Sequence, residues 1–480
     1  MKKLIYIACF IIFLFSCKKD FINNNDVTLA FSTDSILFDT LFTTIGSSTH
    51  KFKIYNNNNG NINISEIFLA GGNNSNFRIN IDGISSANVS NIELLNNDSL
   101  YIFVEVTIDP NNTNNPLVIV DSIMFLTNNN YQAVHLAAWG QDAYFYTPND
   151  SLLVSENSYF YYHNISSNTT LSSDKPHVIY GYMGVTPNNT LTIAPGSNIH
   201  FHANSGLIIF NDATLKCLGD FGNSITIEGD RLEPYYENIP GQWDRIWLAP
   251  GSINNEIRHT TIKNGTIGLH ADTIGNSLNP TLSIYNSIIK NMSSIGIFGQ
   301  GTNIYGENVV VGNCGQYGVV CNIGGNYNFK HCTFSNYWNY GGRNTPNLLL
   351  NNWYEDINGN IIVRNLESAN FYNCIVYGNI NEEVVLDKEE SGIFNYYFDN
   401  CLLKLSNNID ISNSTHFNNV LTNQDPNFKD IDDQNFQLDT LSPAIDIAGI
   451  PAANDVPYDL LNIYRFLDNN PDIGAYERIE

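Results

Sequence analysis

The sequence predicts an all-β protein in which an N-terminal Ig-like β-sandwich precedes a right-handed parallel β-helix and a C-terminal capping segment. Three observations carry that expectation. Short alternating apolar runs separated by Asn and Gly turns fill the chain, and no stretch after the first residues keeps a helical period. A ten-residue template recurs from residue 256 onward. The segment before about residue 144 has similar strands but no such recurrence.

Residues 28–143 are the expected sandwich. "VTLAF", "HKFKIYN", "INISEIFLAGG", "LYIFVEVTIDP", "DSIMFLTN" and "QAVHLAAWG" are short strands between turn residues, a pattern that packs as two sheets.

Residues 144–440 are assigned to the β-helix. "EIRHTTIKNG", "SIYNSIIKNM", "YGENVVVGNC", "NFKHCTFSNY", "NFYNCIVYGN" and "YFDNCLLKLS" superpose, at successive offsets of 27, 22, 23, 42 and 27 residues. Strand repeats of this length mark a solenoid, and the leucine pattern of leucine-rich repeats is missing. One column reads His259, Asn286, Asn308, His331, Asn373, Asn400. Asn at a corner adopts the left-handed conformation and bonds its neighbour in the next repeat. The next column is Thr260, Ser287, Val309, Cys332, Cys374, Cys401, and two places on an apolar stack runs Ile262, Ile289, Val311, Phe334, Val376, Leu403. The 42-residue interval implies an insertion over 354–368, either a binding element or a flank cover.

The N-terminus reads as an export signal. Lys2 and Lys3 precede the apolar run Leu4–Phe15, which is too short to span a bilayer. "LFSC" resembles a bacterial lipobox, which implies cleavage after residue 16, lipidation of Cys17 and a tether over 17–27. "CKKD" partly resembles the surface-export tag of Bacteroidota lipoproteins, which places the chain on the bacterial outer membrane, with the lipid anchor as its membrane contact. Removing residues 1–16 takes two Lys, so the formal charge falls from −25 to −27 (−25 − 2). An acidic chain repels phosphate backbones, so no nucleic acid is expected as partner.

Few residues stand out chemically. Cys332, Cys374 and Cys401 behave as small core residues in their column, and Cys217, Cys314 and Cys321 follow no metal-ligand spacing. His200 and His202 share a strand face without a third ligand, so they read as polar residues of an outer face. Polysaccharide lyases on this pectate-lyase-like fold use a Lys or Arg base, often with calcium, and hydrolases use paired acids. Neither pattern stands out, so no cofactor is expected and calcium is unsupported. His270 and Arg343 remain groove candidates with Asp272, His331 is better read as a member of the Asn column, and Trp353, just before the insertion, is a further candidate binding residue.

The densest clump is "GDRLEPYYENIPGQWDRIWL", residues 229–248, in a chain only 14% charged. An Arg flanked by acids beside Trp and Tyr locks an excursion onto a strand, and the same materials make a sugar platform. The lock is the preferred reading; Arg231, Tyr236, Trp243, Asp244, Arg245 and Trp247 are nonetheless the candidate glycan contacts.

Four resemblances add to these readings. The pieces "FDTLFTTIGSS", "KIYNNNNGNINISEI", "FRINIDG" and "VEVTIDP" resemble the Ig-like domains of abnormal-spindle and hydin-type proteins, which implies a spacer or interaction module. "HVIYGYMGVTPNNTLTIAPGSNIHFH", "GDRLEPYYENIPGQW" and "GGNYNFKHCTFSNYW" resemble a family of Bacteroidota β-helix surface lipoproteins, which implies the fold and no particular activity. "SPAID", then Asp459 and Arg465, then "DIGAYE" resemble a closing motif of extracellular β-helices. That resemblance implies that residues 441–480 cap the final repeat, with Arg465 paired among Asp446, Asp459 and Asp472. Asp-Ser/Thr followed by an aliphatic residue, at Asp34, Asp39, Asp98, Asp121, Asp150, Asp272 and Asp439, resembles the Bacteroidota O-glycosylation acceptor. The expected function is non-catalytic binding of glycan or another envelope component; the alternative is a polysaccharide lyase or glycoside hydrolase. Three or more charged groups converging on one face would favour the enzyme.

Overall fold

The computed structural model describes residues 21–25, 27–109, 117–272, 280–468 and 470–479. Cys17, the signal segment and Thr273 lie outside them. The fold is nearly all β, and the chain falls into two compact units divided between Asp142 and Ala143.

The first unit is two five-stranded sheets. Period-2 burial builds it: in Ser99–Val106 the residues Ile102, Val104 and Val106 are fully buried while their neighbours face out. Both sheets contribute to one core, including Ile54, Phe77 and Ile102 from one and Ile64, Phe125 and Leu136 from the other. Ser35–Phe42 pairs parallel with Asn130–Gln141, the other ladders being antiparallel among the described residues.

The second unit is dominated by one large sheet whose ladders are parallel except for the hairpin of Asp150–Ser155 with Ser158–Ile165. Pairing follows the superposed repeats position by position. Ile262 pairs with Ile289, Ile289 with Val311, Val311 with Phe334, Phe334 with Val376, and Val376 with Leu403. All six are fully buried. A second interior stack is aromatic: Phe329, Phe371, Phe398 and Phe417 lie nearly parallel at centroid spacings of 5.5, 4.8 and 5.7 Å.

The corner column behaves as its chemistry dictates. His259, Asn286, Asn308, His331, Asn373 and Asn400 all have φ between 40° and 54°, a region Asn and His tolerate better than most residues. Asn308 Nδ2 donates to Asn286 Oδ1 at 2.8 Å, and Asn373 Nδ2 meets His331 Nε2 at 2.8 Å. A second Asn ladder, Asn264–Asn291–Asn313, was not anticipated; Asn313 Nδ2 donates to Asn291 Oδ1 at 2.7 Å. Cys332, Cys374 and Cys401 sit fully buried beside the first ladder, and all six described thiols are free. The insertion is an antiparallel hairpin, Trp353–Glu355 with Ile361–Val363, and the parallel ladder resumes at Leu366.

The C-terminal segment departs from expectation twice. It lies along the flank of the stack rather than over its last repeat: Asn308 Nδ2 donates to Tyr458 O, Gly474 N donates to Asn373 O, and Ala475 N donates to Thr333 Oγ1. The direct ion pair of Arg465 is also with Glu477, at 3.2 Å, while Asp459 and Asp472 act on its charge from farther away. Asp446, Asp459 and Asp472 instead accept backbone N–H groups, those of Asn470, of Leu461 and Ile463, and of Asp446 and Arg478. Arg465 is fully buried, and its other amino group donates to Asn308 Oδ1 at 2.8 Å. The physical reason is the ladder: Asn308 and His331 do not bond each other, and Arg465 and Gly474 O fill the break. No helix among the described residues is long and apolar enough to cross a membrane.

Candidate functional site

The repeat template places two outward residues just before each corner Asn, on either side of one inward residue. In register these form two columns on one outer face. The first runs Lys216, Glu256, Ser283, Tyr305, Asn328, Asn370, Tyr397. The second runs Arg258, Tyr285, Glu307, Lys330, Tyr372, Asp399. Between them the inward side chains Ile257, Ile284, Phe329, Phe371 and Phe398 are fully buried. The pleat alone therefore turns four tyrosines and eight charged or amide groups to one side.

Three adjoining depressions follow this face, of about 300, 150 and 240 Å³; the first two share Pro280 and the last two Asn328. One wall is the short helix Ile450–Asp455 of the C-terminal segment. It is held there because Gly449 N donates to Asn373 Oδ1 at 2.6 Å and Gly449 O accepts from Asn373 Nδ2 at 2.9 Å. That grip brings Asp455 to 2.6 Å from Lys330 Nζ. A larger depression, about 540 Å³, lies elsewhere around Lys404 and Asn408 and has no aromatic ring in its lining. We place the site on the tyrosine face because it combines concavity with rings and hydrogen-bonding groups.

The cations of this face are matched. Lys216 and Arg258 both meet Glu256, at 3.1 and 2.5 Å. Burial pushes the Glu256 carboxyl up, but the Arg258 and Lys216 hydrogen bonds together outweigh it and hold it below its usual range. Glu307 differs. Burial pushes its carboxyl above the usual carboxylate range, against the hydrogen bond it accepts from the Tyr305 hydroxyl. Arg258 also lies over the Tyr285 ring, 5.1 Å from its centroid.

The residues singled out in the sequence do not converge here. Trp243 is 1% exposed, stacks on Phe201 at 4.8 Å and donates its N–H to Lys263 O at 2.9 Å, so it is a core residue and not a glycan contact. Arg231 forms a two-point ion pair with Glu233 and lies 4.3 Å above the Tyr236 ring, which locks the excursion. Arg343 is also corrected: it is buried in an ion pair with Glu383 at 2.6 Å and lines no groove with His270. His331 is buried in the corner ladder. His200 is buried too, bonded to Gly229 O, while His202 is half-exposed and 2.7 Å from Asp230. Trp353 is half-buried at the insertion, its N–H on Asp387 at 3.1 Å.

Asp244, Arg245, Trp247 and His270 do come together, on a different outer face. Arg245 donates to Asp244 at 3.1 Å and approaches His270 at 3.5 Å, and His270 Nε2 meets Gln300 at 2.6 Å. Trp247, His270 and Phe298 stack on one another at 5.8 and 4.8 Å, within 18° of parallel. Stacking covers both faces of the central His270 ring. On the tyrosine face, Tyr285 and Tyr305 are tilted by 54° and Tyr372 and Tyr397 by 65°, with Arg258 over the Tyr285 ring and Lys330 over the Tyr305 ring.

The tyrosine face is carried by positions outside the Asn and core columns. The repeats "EIRH", "SIYN", "YGEN", "NFKH", "NFYN" and "YFDN" hold both of its columns on either side of the inward residue. Among the described residues, no group of three or more His, Cys, Asp or Glu side chains is placed to hold a metal ion.

No protein-family model matches the chain, and no curated protein matches it. Among solved structures, a family 123 glycoside hydrolase from Clostridium perfringens is similar at 9% identity and a TM-score of 0.18, over 25% of this chain and 30% of that one. The seventh PapD-like domain of human CEP192 is similar at 9% identity and a TM-score of 0.17, over 27% of this chain and 94% of the domain. Likenesses of this size have no bearing on the site.

Proposed function

We propose that this chain is a glycan-binding protein of the bacterial envelope, lipid-anchored through Cys17 to the outer membrane. In this reading an Ig-like unit carries a right-handed parallel β-helix whose tyrosine face holds polysaccharide. The carrying observation is that face: four half-buried tyrosines with Asn328, Asn370 and paired charges between them, three of the tyrosines lining adjoining depressions. Aromatic rings cover the apolar faces of sugar rings, and amides and charged groups bond their hydroxyls. The "LFSC" terminus supports the anchor, and register-matched parallel ladders support the helical stack. Incubating the purified chain with insoluble cell-envelope polysaccharides tests the reading. Retention that is lost in Tyr285→Ala/Tyr305→Ala is expected, and equal retention of both proteins would end it.

One observation favours a second reading, a glycoside hydrolase. Burial pushes the Glu307 carboxyl above its usual range, beside Lys330 and Asp455, and an acid of raised pKa with a second carboxylate is the hydrolase pair. Release of reducing ends by the native chain but not by Glu307→Gln would establish it. A lyase needs an unpaired base, whereas Lys330 and Arg258 are held in ion pairs.

A further inference from the structure

The four tyrosines are not evenly spread. Tyr285 and Tyr305 occupy the second and first columns of successive strands, and Tyr372 and Tyr397 repeat that diagonal. The two pairs have matching geometry, with ring centroids 6.0 and 6.1 Å apart. Register fixes their separation: from Tyr285 through Glu307 and Lys330 to Tyr372 is three steps, and from Tyr305 through Asn328 and Asn370 to Tyr397 is also three. Three strand spacings amount to about 14 Å. The stretch between carries Glu307, Asn328, Lys330 and Asn370 and no aromatic ring.

Charge sets a second constraint. A polyanionic chain needs cations that are not already neutralised. Lys216 and Arg258 are spent on Glu256, and Lys330 on Asp455, while Glu307 and Asp399 add acids without added cations.

From these two constraints we infer that the face holds a linear, uncharged polysaccharide running along the stack, gripped at two equivalent tyrosine subsites about 14 Å apart. The inference rests on the glycan-binding reading and adds to it the ligand's charge class, its direction and a minimum length. A disaccharide occupies one subsite. A chain long enough to reach both gains from the effective concentration of its second contact.

Calorimetric titration of the full chain with cellobiose, cellohexaose, laminaribiose, laminarihexaose and polygalacturonate tests it. At least one neutral hexasaccharide is expected to bind tenfold or more tighter than its disaccharide, on the order expected for bivalent contact. Tyr285→Ala/Tyr305→Ala and Tyr372→Ala/Tyr397→Ala should each reduce the hexasaccharide to disaccharide affinity. Both should unfold as the native chain does, and the Tyr→Phe double variants should retain binding because the rings remain. Equal affinity for short and long chains, or sensitivity to one tyrosine pair alone, overturns the two-subsite inference while leaving glycan binding intact. Salt-sensitive binding of polygalacturonate in preference to neutral chains overturns the charge assignment. Binding of none of the five removes the inference; the glycan reading then falls only if envelope polysaccharide also fails to retain the chain.

Discussion

Truncating Trp243 separates a lock from a binding site at the 229–248 clump. The indole is 1% exposed, lies 4.8 Å from the Phe201 ring and donates to Lys263 O. Gly265 is there because a Cβ would lie 2.8 Å from the indole Cε2, so the ring packs directly on the neighbouring backbone. Trp243→Ala removes that packing and leaves a cavity, a loss of about 3–5 kcal/mol. Trp243→Phe keeps most of the ring and forfeits the bond to Lys263, about 1–2 kcal/mol. The two variants should rank in that order in urea unfolding, and hydrogen exchange should quicken first in strands Asn198–Phe201 and Thr260–Lys263. Arg231→Ala should cost less, about 1–2 kcal/mol, because its side chain is 33% exposed and solvent screens the pair. Glycan retention should survive in all three once they are folded. A Trp243→Ala protein with native stability and no glycan retention would refute the core assignment.

Asn308→Ala forces a residue with φ 51° into strain and removes bonds to Asn286, Tyr458 and Arg465. It should cost about 3–5 kcal/mol, and Asn308→Gly about 1 kcal/mol less, in urea unfolding. Burial pushes the Asp472 carboxyl up from 3.8 to about 6. A raised acid favours the folded state fully below its unfolded value and loses that contribution as pH rises through the folded one. Exchange at Gly474 and Ala475, corrected for intrinsic rate, should therefore show weaker protection at pH 7 than at pH 4, and unchanged protection would refute it. Cys17→Ala should release the chain from membranes or leave it unprocessed, read by detergent partitioning and lipid labelling. Of the Asp-Ser/Thr tripeptides, those at Ser151 and Thr440 have exposed hydroxyl residues, and native protein should carry a carbohydrate mass increment at one or both.

The stack was legible because its physics is local and repeated. A left-handed corner admits Asn or His at one column, and an inward position admits Ile, Val, Leu or Phe three places on, so six copies show both in sequence alone. The tyrosine face was written in the same repeats, but outward columns obey no packing rule, and Tyr, Glu, Lys and Asp alternate there without a visible period. The closing segment was misplaced for a different reason. Its Arg and acids announce a buried charge cluster, yet nothing local tells whether Arg465 seals the end or the flank; that depends on the ladder break at Asn308, 157 residues away. Trp243 and Tyr285 make the same contrast. Both are aromatic residues in charged surroundings, and only the pleat direction decides which ring enters the core.

Hydroxyl-radical footprinting of the full chain, with and without a bound envelope polysaccharide, measures the central claim residue by residue. Protection of Tyr285, Tyr305, Tyr372 and Tyr397 together, with Tyr235 and Trp247 unchanged, is the predicted result. Protection concentrated on Tyr235, Tyr236 and Trp247, with the four tyrosines still reactive, would place the ligand elsewhere and contradict the account.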